Sequence, residues 1–341
     1  MPGVGGLDID ESELAAAAVP FALPMRRAFR GVQVREGMLI QGPSGWGEFA
    51  PFDDYDDLLA SRWLATALEA AFGSWPAPRR TAIAVNAIIP AVDSDTAAVL
   101  VREAVLGHGC STIKVKVGGS LADDEARVAS VRHALDIALG HGRGLIRLDA
   151  NGAWDVDAAI VALRRLGRYG LEYVEQPCAE VAALRALRSS CDTPIAIDEV
   201  IRRAPDLQDL GRQAAQLAEI ADVAILKPTP MGGIGAALAV AEVLPIPMVV
   251  SGAMESSVGL AVPTILAGVL DLEVACGLGT GTLLAADLVA EPVVPVGGRV
   301  TAARIAPDLD ALLDARSRVS DDRADWWRHR LVRAFRAGRR P

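Results

Sequence analysis

The chain has 341 residues, 51% hydrophobic but only 4% aromatic, which allows a sizeable and largely aliphatic core; this length suits one barrel of about 250 residues plus a smaller piece. A net charge of −9, with arginines spread rather than striped, argues against nucleic acid or an anionic membrane as the main partner. Cys110, Cys178, Cys191 and Cys276 are scattered, with no CxxC and no histidine at zinc-like spacing, which fits reduced cytosolic thiols rather than disulfides or structural zinc.

Met1–Pro20 carries Asp8, Asp10, Glu11 and Glu13 and no basic run, so Ala15–Ala18 does not read as a signal peptide and a cytoplasmic protein is expected. From Phe21 to Phe52, short apolar stretches broken by Gly31, Gly37, Gly42, Gly45 and Gly47 suggest a small antiparallel meander. Leu58–Phe72 reads as a helix, and Trp75–Arg80, with Pro76 and Pro78, as a linker and domain boundary. Short apolar strands then alternate with helix-length segments. The strands are Ala82–Ile89, Thr112–Val117, Leu145–Ala150, Leu171–Glu175, Ile195–Asp198, Asp222–Leu226, Met248–Ser251 and Leu272–Ala275. This is the rhythm of an α/β fold of (β/α)8 TIM-barrel type; no GxGxxG follows the first strand, so a doubly wound sheet ranks lower. The apolar run Val258–Leu270 is broken by Pro263 and falls short of the roughly 20 residues that span a bilayer. Beyond Leu283 the chain turns Pro/Gly-rich and then charged, a tail expected to rejoin the N-terminal piece, with Trp326 and Trp327 as a docking surface or helix end.

Charges collect where the strands run out. Lys116, Asp149, Glu175, Asp198 and Lys227 end five consecutive strands, and barrel active sites are built where strand ends converge. Of 34 basic residues only Lys114, Lys116 and Lys227 are lysines. Arginine stays protonated whereas lysine can give up its proton, so lysine kept at these positions points to proton transfer. Any one of the acids would serve as a helix N-cap in the following loop. Three together, beside lysines, are better explained by a cation, and oxygen-only ligands select a hard ion such as Mg2+. Residues two apart on a strand share a face, so Lys114 points with Lys116, and Arg147 and Asn151 with Asp149. Lys114 and a nearby metal would both lower the pKa of Lys116 toward the range useful for a general base. Arg147 reads equally as a binder of a distal substrate carboxylate or as a buried ion-pair partner. The set suits removal of a proton α to a carboxylate, with the charge that develops on the resulting enediolate stabilised by the cation.

KxK at 114–116, DAN at 149–151, EQP at 175–177, DE at 198–199 and Lys227 together resemble the enolase superfamily, in its muconate-lactonizing subgroup. The resemblance implies a modified TIM barrel over residues 81–289 and an α+β capping domain over 1–80, with the tail 290–341 packed on the cap. It implies Asp149, Glu175 and Asp198 as Mg2+ ligands, with Mn2+ able to substitute. Lys116 and Lys227 would lie on opposite faces of the substrate, supported by Lys114 and Asn151. Phe21–Arg30 and Gly45–Phe52 would be loops that close over the substrate.

Within the superfamily, the four histidines, His108, His133, His141 and His329, avoid late strand ends, which disfavours the mandelate racemase-like subgroup with its late histidine base. The segments 251–259, 45–51 and 277–281 are most similar to the o-succinylbenzoate synthases, and Gly279-Thr280-Gly281 stands where dipeptide epimerases carry DxD. That implies a small dicarboxylate substrate without an amine, held by Ser251, Gly252 and Ser256. The reaction would be dehydration of 2-succinyl-6-hydroxy-2,4-cyclohexadiene-1-carboxylate in menaquinone synthesis, with Lys116 as base and Lys227 as a protonated cation against the opposite face. Racemisation of N-succinylamino acids, or both activities, is the alternative, and a non-catalytic barrel the remote one. The oligomeric state stays open, a monomer included.

Overall fold

The glycine-broken stretch after Ala18 forms three antiparallel strands, β1 (Val19–Phe29), β2 (Val32–Gly42) and β3 (Gly45–Phe49), in the order β1-β2-β3. The computed structural model describes residues 10–29, 31–204, 206–207 and 209–339, so the acidic start up to Ile9 and Arg30 lie outside it. Helix Asp57–Phe72, N-capped by Asp56 (2.7 Å to the Leu59 N–H), lies directly on β3. A Cβ on Gly47 would sit 1.9 Å from the Ala67 carbonyl oxygen, so only glycine lets the helix approach this closely. The C-terminal helix Asp321–Gly338 completes this layer: Trp327, Leu331 and Phe335 join Met38, Ile40, Phe49 and Trp63 in one buried cluster. Trp327 is thus an internal docking residue, edge-to-face with Phe49 at 6.1 Å between centroids. Asp10 caps a further helix, Glu11–Ala17, which the acidic composition alone did not suggest. The segments expected as closing loops are mostly strand: 45–49 is β3, paired with β2 throughout, and 21–29 belongs to β1, which pairs with β2 as far as Pro24 and again at Phe29 with an irregularity between.

Next come β4 (Ala82–Ala84), β5 (Ala87–Ile89), β6 (Thr112–Lys116), β7 (Leu145–Asp149), β8 (Leu171–Glu175), β9 (Ile195–Ile197), β10 (Val223–Leu226), β11 (Met248–Val250) and β12 (Arg299–Thr301). Strands β5 to β11 form one parallel sheet in sequence order. Ile113, Val115, Ile146, Leu148, Val174, Ile195 and Ile197 alternate outward into the helical layer, while Tyr173, Ala196, Ile225 and Val249 fill the interior.

Two strands differ from expectation. The first splits at Val85–Asn86: β4 pairs antiparallel with β12, and β5 pairs parallel with β6. The eighth is not Leu272–Ala275 but the pair Cys276–Gly277, which closes the ring. Cys276 N–H donates to Ala84 O (2.7 Å) and Asn86 N–H to Cys276 O (2.9 Å), while Gly277 N–H donates to Val250 O (2.8 Å). A Cβ on Gly277 would meet Ser251 Oγ at 2.4 Å, so glycine sets where the closing strand can pass. The run Val258–Leu270 holds the buried helix Ala261–Val269, and no helix among the described residues is long and apolar enough to cross a membrane.

Candidate active site

Parallel register brings the charged strand ends to one level. Lys116 pairs with Asp149 across β6 and β7, and Asp149 with Glu175 across β7 and β8. Asp198 and Lys227 are the first residues past β9 and β10. Lys116 Nζ donates to Asp149 Oδ2 (2.6 Å) and Asn151 Oδ1 (2.5 Å). One layer deeper, Lys114 Nζ bridges Asp149 (2.8 Å) and Glu175 (2.7 Å). Lys227 Nζ donates to Asp198 Oδ2 (2.5 Å), whose other oxygen takes the Arg202 Nε–H (3.0 Å). Lys114, Asp149, Glu175, Asp198, Arg202 and Lys227 are all buried, so these pairs act in a medium of low polarisability.

Burial pushes the Asp149 carboxyl up, but Lys114, Lys116 and Lys227 overturn this and hold it well below the usual carboxylate range. Asp198 is lowered likewise, by Arg202 and then Lys227 against its own burial. Glu175 goes the other way, to about 7, because burial and then the charge of Asp149 bear on it. Lys114 is desolvated, yet Asp149 and Glu175 keep it charged above the ordinary lysine range. Lys116 is lowered, first by burial and further by the Lys114 charge, with Asp149 opposing.

Asn151 and Gln176 both adopt positive φ (47° and 41°), unusual for residues with a side chain, and each ties neighbouring strand ends together. Asn151 Nδ2 reaches Glu199 (3.2 Å), and Gln176 Oε1 accepts the Asp198 N–H (3.0 Å). Arg202, which sequence reasoning missed, is fully enclosed by Asp198, Glu199 and the Tyr55 hydroxyl. Its signal was the i,i+4 spacing from Asp198.

A cavity opens at this level. Its lining includes the charged Lys114, Lys116, Asp149, Lys227 and Arg202 and the small Ser251, Gly252 and Thr280. The N-terminal layer contributes Phe29, Phe52 and Tyr55, with the Phe29 ring 5.5 Å from Lys116 Nζ; Phe29 and Phe52 lie in the two segments expected over the substrate, and Tyr55 lies beyond them. Ser251 and Gly252 are therefore in the site, but two expected substrate contacts are elsewhere. Arg147 points to the bottom of the barrel, held by Glu172 (2.6 Å), Asn86 (3.0 Å) and the Ala275 carbonyl (2.5 Å) and packed on Tyr173. It is the buried ion-pair partner: Glu172, Asn86 and the Ala275 carbonyl draw its guanidinium downward, whereas Lys114, at the same register on β6, reaches up to Asp149 and Glu175. Ser256 is fully buried and faces the N-terminal sheet, where its N–H (3.0 Å) and hydroxyl both donate to Glu48 Oε2. Beside it, Arg35 donates to the carbonyls of Met254 (3.0 Å) and Ala50. Burial pushes Glu48 up to about 7, with Arg35 only partly offsetting it. Together Glu48 and Arg35 clasp the cavity-lining loop 251–257 to the N-terminal layer.

Asp149, Glu175 and Asp198 supply hard oxygen donors at adjacent strand ends, and a cation among them would relieve the charge crowding that keeps Glu175 protonated up to about 7. Among the described residues, no three His, Cys, Asp or Glu side chains stand ready around one point. The ammonium groups of Lys114 and Lys227 lie among these carboxylates instead, and each carboxylate keeps lone pairs beyond the one such a contact takes. The donor chemistry thus fits a divalent ion.

A closed parallel barrel with lysines and carboxylates at its strand ends, covered by an antiparallel sheet, defines a class of enzyme. Residues 96–331 match the family described as "Enolase C-terminal domain-like" and residues 20–71 the one described as "Enolase N-terminal domain-like", and the chain belongs to the enolase superfamily. Among its relatives, an o-succinylbenzoate synthase of Thermobifida fusca (strain YX) is 47% identical over 310 residues, 90% of this chain and 92% of that one. A protein of the same name from Mycobacterium leprae (strain TN) is 46% identical over 320 residues, 92% of this chain and 90% of its own. The fold matches the crystal structure of muconate lactonizing enzyme from Pseudomonas fluorescens with a TM-score of 0.72 at 22% identity, over 87% of this chain and 97% of that one.

Proposed function

We propose that this chain is an o-succinylbenzoate synthase that removes water from 2-succinyl-6-hydroxy-2,4-cyclohexadiene-1-carboxylate to give 2-succinylbenzoate, a step of menaquinone synthesis. The observation that carries the reading is the pair of lysines, Lys116 and Lys227, on two strands of one cavity, in a chain 47% identical over 90% of its length to a protein of that name. Residues 1–80 with 290–341 act as the cap and 81–289 as the barrel.

Asp149, Glu175 and Asp198 hold Mg2+, for which Mn2+ can substitute. When bound, the ion supplies positive charge against the substrate carboxylate next to the reacting carbon. Lys116 takes the α-proton: its Nζ is fixed at the cavity wall by Asp149 and Asn151, and its lowered pKa makes the free amine accessible. The C–O bond at the neighbouring ring carbon then breaks. Hydroxide departs as the ring aromatises, and it and the proton held by Lys116 make up the water released. Lys227, held by Asp198, stays charged against the other face of the ring. The cations Lys114, Lys116, Lys227 and Arg202 are matched by Asp149, Glu175, Asp198 and Glu199. Adding a divalent cation shifts this balance toward positive charge, which favours an anionic substrate.

A second reading, racemisation of N-succinylamino acids, rests on the same two lysines acting as acid and base in turn. A UV progress curve with the cyclohexadiene substrate, run beside proton NMR of an N-succinylamino acid in deuterated water, tests both. Fast, Mg2+-dependent dehydration is expected. Exchange of the α-proton with inversion, and no dehydration, would replace the first reading with the second.

A further inference from the structure

The mechanism uses the charged residues of the cavity and leaves Thr280 in its wall without a task. There the chain carries Gly279-Thr280-Gly281, at the start of a short 3-10 helix, Gly279–Leu283. Both glycines are fixed by backbone. A Cβ at Gly279 would lie 2.7 Å from Asn86 O, and one at Gly281 2.3 Å from Val293 O. Thr280 therefore carries the one side chain of this tripeptide, and it is pinned from both sides. It lines the cavity and is 4% exposed, and its Oγ1 is buried with no hydrogen-bond partner. A buried hydroxyl without a partner forfeits hydrogen-bond energy, and such a group in a cavity wall is a donor waiting for an acceptor.

The surroundings select the acceptor. A Cβ on Gly252 would lie 3.6 Å from Thr280 Oγ1 and 2.7 Å from Glu255 Oε2, so the hydroxyl adjoins a seat with a buried acid behind it. Glu255 is committed, accepting from Thr229 Oγ1 (2.6 Å) and the Ala253 N–H (2.6 Å). A second carboxylate beside it would be disfavoured by like charge. A neutral oxygen suits the position. Ser251 Oγ, with only long contacts of 3.3 Å to the carbonyls of Gly252 and Gly277, stands beside it as a second hydroxyl.

Resting on the functional reading above, we infer that Thr280 is a substrate-reading residue whose hydroxyl donates to the acyl ketone oxygen of the succinyl chain. Its partner is neither the terminal carboxylate of that chain nor the ring carboxylate.

The test measures calorimetric affinities of the Mg2+-loaded enzyme for three ligands: 2-succinylbenzoate, 2-(3-carboxypropyl)benzoate, which lacks the ketone, and 2-butanoylbenzoate, which lacks the terminal carboxylate. Thr280→Val keeps the shape and removes the hydroxyl; Thr280→Ser keeps the hydroxyl. Thr280→Val is expected to weaken 2-succinylbenzoate and 2-butanoylbenzoate about tenfold and to leave 2-(3-carboxypropyl)benzoate unchanged, with Thr280→Ser close to wild type on all three. An equal loss on all three ligands would make Thr280 structural. A loss confined to the two ligands with the terminal carboxylate would move the contact there, and no loss would remove the contact; each of these overturns the inference. Dehydration by wild type is assayed in parallel. Intact dehydration with any of those three patterns sinks the Thr280 inference alone, whereas absent dehydration sinks the functional reading and the inference with it.

Discussion

The strand-end cluster and the seam between cap and barrel are both buried and both acidic, yet they handle charge in opposite ways. At the strand ends each carboxylate has a cationic group within hydrogen-bond reach, Lys114 and Lys116 on Asp149, Lys114 on Glu175, Lys227 and Arg202 on Asp198. At the seam the Arg35 guanidinium donates to backbone carbonyls, and Glu48 is left with Ser256 on one oxygen and no partner on the other. Paired charge lets Asp149 and Asp198 stay ionised in a dry site, where chemistry needs them, whereas Glu175, pressed by burial and the Asp149 charge, is raised to about 7 in spite of Lys114. A carboxyl without an ammonium or guanidinium contact keeps its proton instead and serves as a hydrogen-bonding post. The first region is built for reactivity, the second for placing the loop 251–257.

Removing the cation strikes the first region hardest. Chelation with EDTA should abolish turnover and added Mg2+ should restore it; activity that survives chelation would contradict the assignment of Asp149, Glu175 and Asp198. Lys227→Met should lower kcat about 10²–10³-fold, as for the loss of one preorganised charge, and a variant with normal kcat would leave Lys227 only a structural partner of Asp198. Arg147→Met breaks a buried ion pair below the site. It should cost about 3–5 kcal/mol of stability in thermal or urea unfolding while KM of the folded enzyme stays near wild type; a raised KM with intact stability would return Arg147 to the substrate.

The smallest effect belongs to the seam. Burial raises Glu48 from 4.5 to about 7 in the folded state, so the native protein binds this proton more tightly than the unfolded chain. The stabilisation is whole below the unfolded pKa and is lost as pH rises through about 7. Wild type should therefore lose stability relative to Glu48→Gln between about pH 5 and pH 8, by at most about 3 kcal/mol. Parallel stability curves for the two proteins would show that Glu48 is ionised in the fold.

What could be read from the sequence followed strand periodicity. The alternation at Lys114 and Lys116, and one charge at each strand end, give the level and direction of the cluster, because parallel register carries a position on one strand to its neighbour. Periodicity gives a face but not a depth, so Arg147 looked like a neighbour of Asp149 when it belongs to the floor. Ser256 was misread because the turn past β11 sends it to the cap rather than the cavity, a reversal that includes Met254 at φ 66°. The eighth strand slipped to Cys276–Gly277 because hydrogen bonds to distant residues, not local propensity, define so short a strand. The segments holding Phe29 and Phe52 were expected over the substrate from the family resemblance, whereas Tyr55, beyond them, carried no local pattern. Thr280 did have a signal, the glycines on either side of it, whose meaning depends on backbone that approaches from elsewhere in the chain.

The most direct test of the central claim is single-turnover dehydration by Lys116→Ala, loaded with Mg2+ and compared with wild type on the cyclohexadiene substrate. The loss of the proton acceptor should slow the step about 10²–10⁴-fold while 2-succinylbenzoate still binds. A rate within a few-fold of wild type would contradict it.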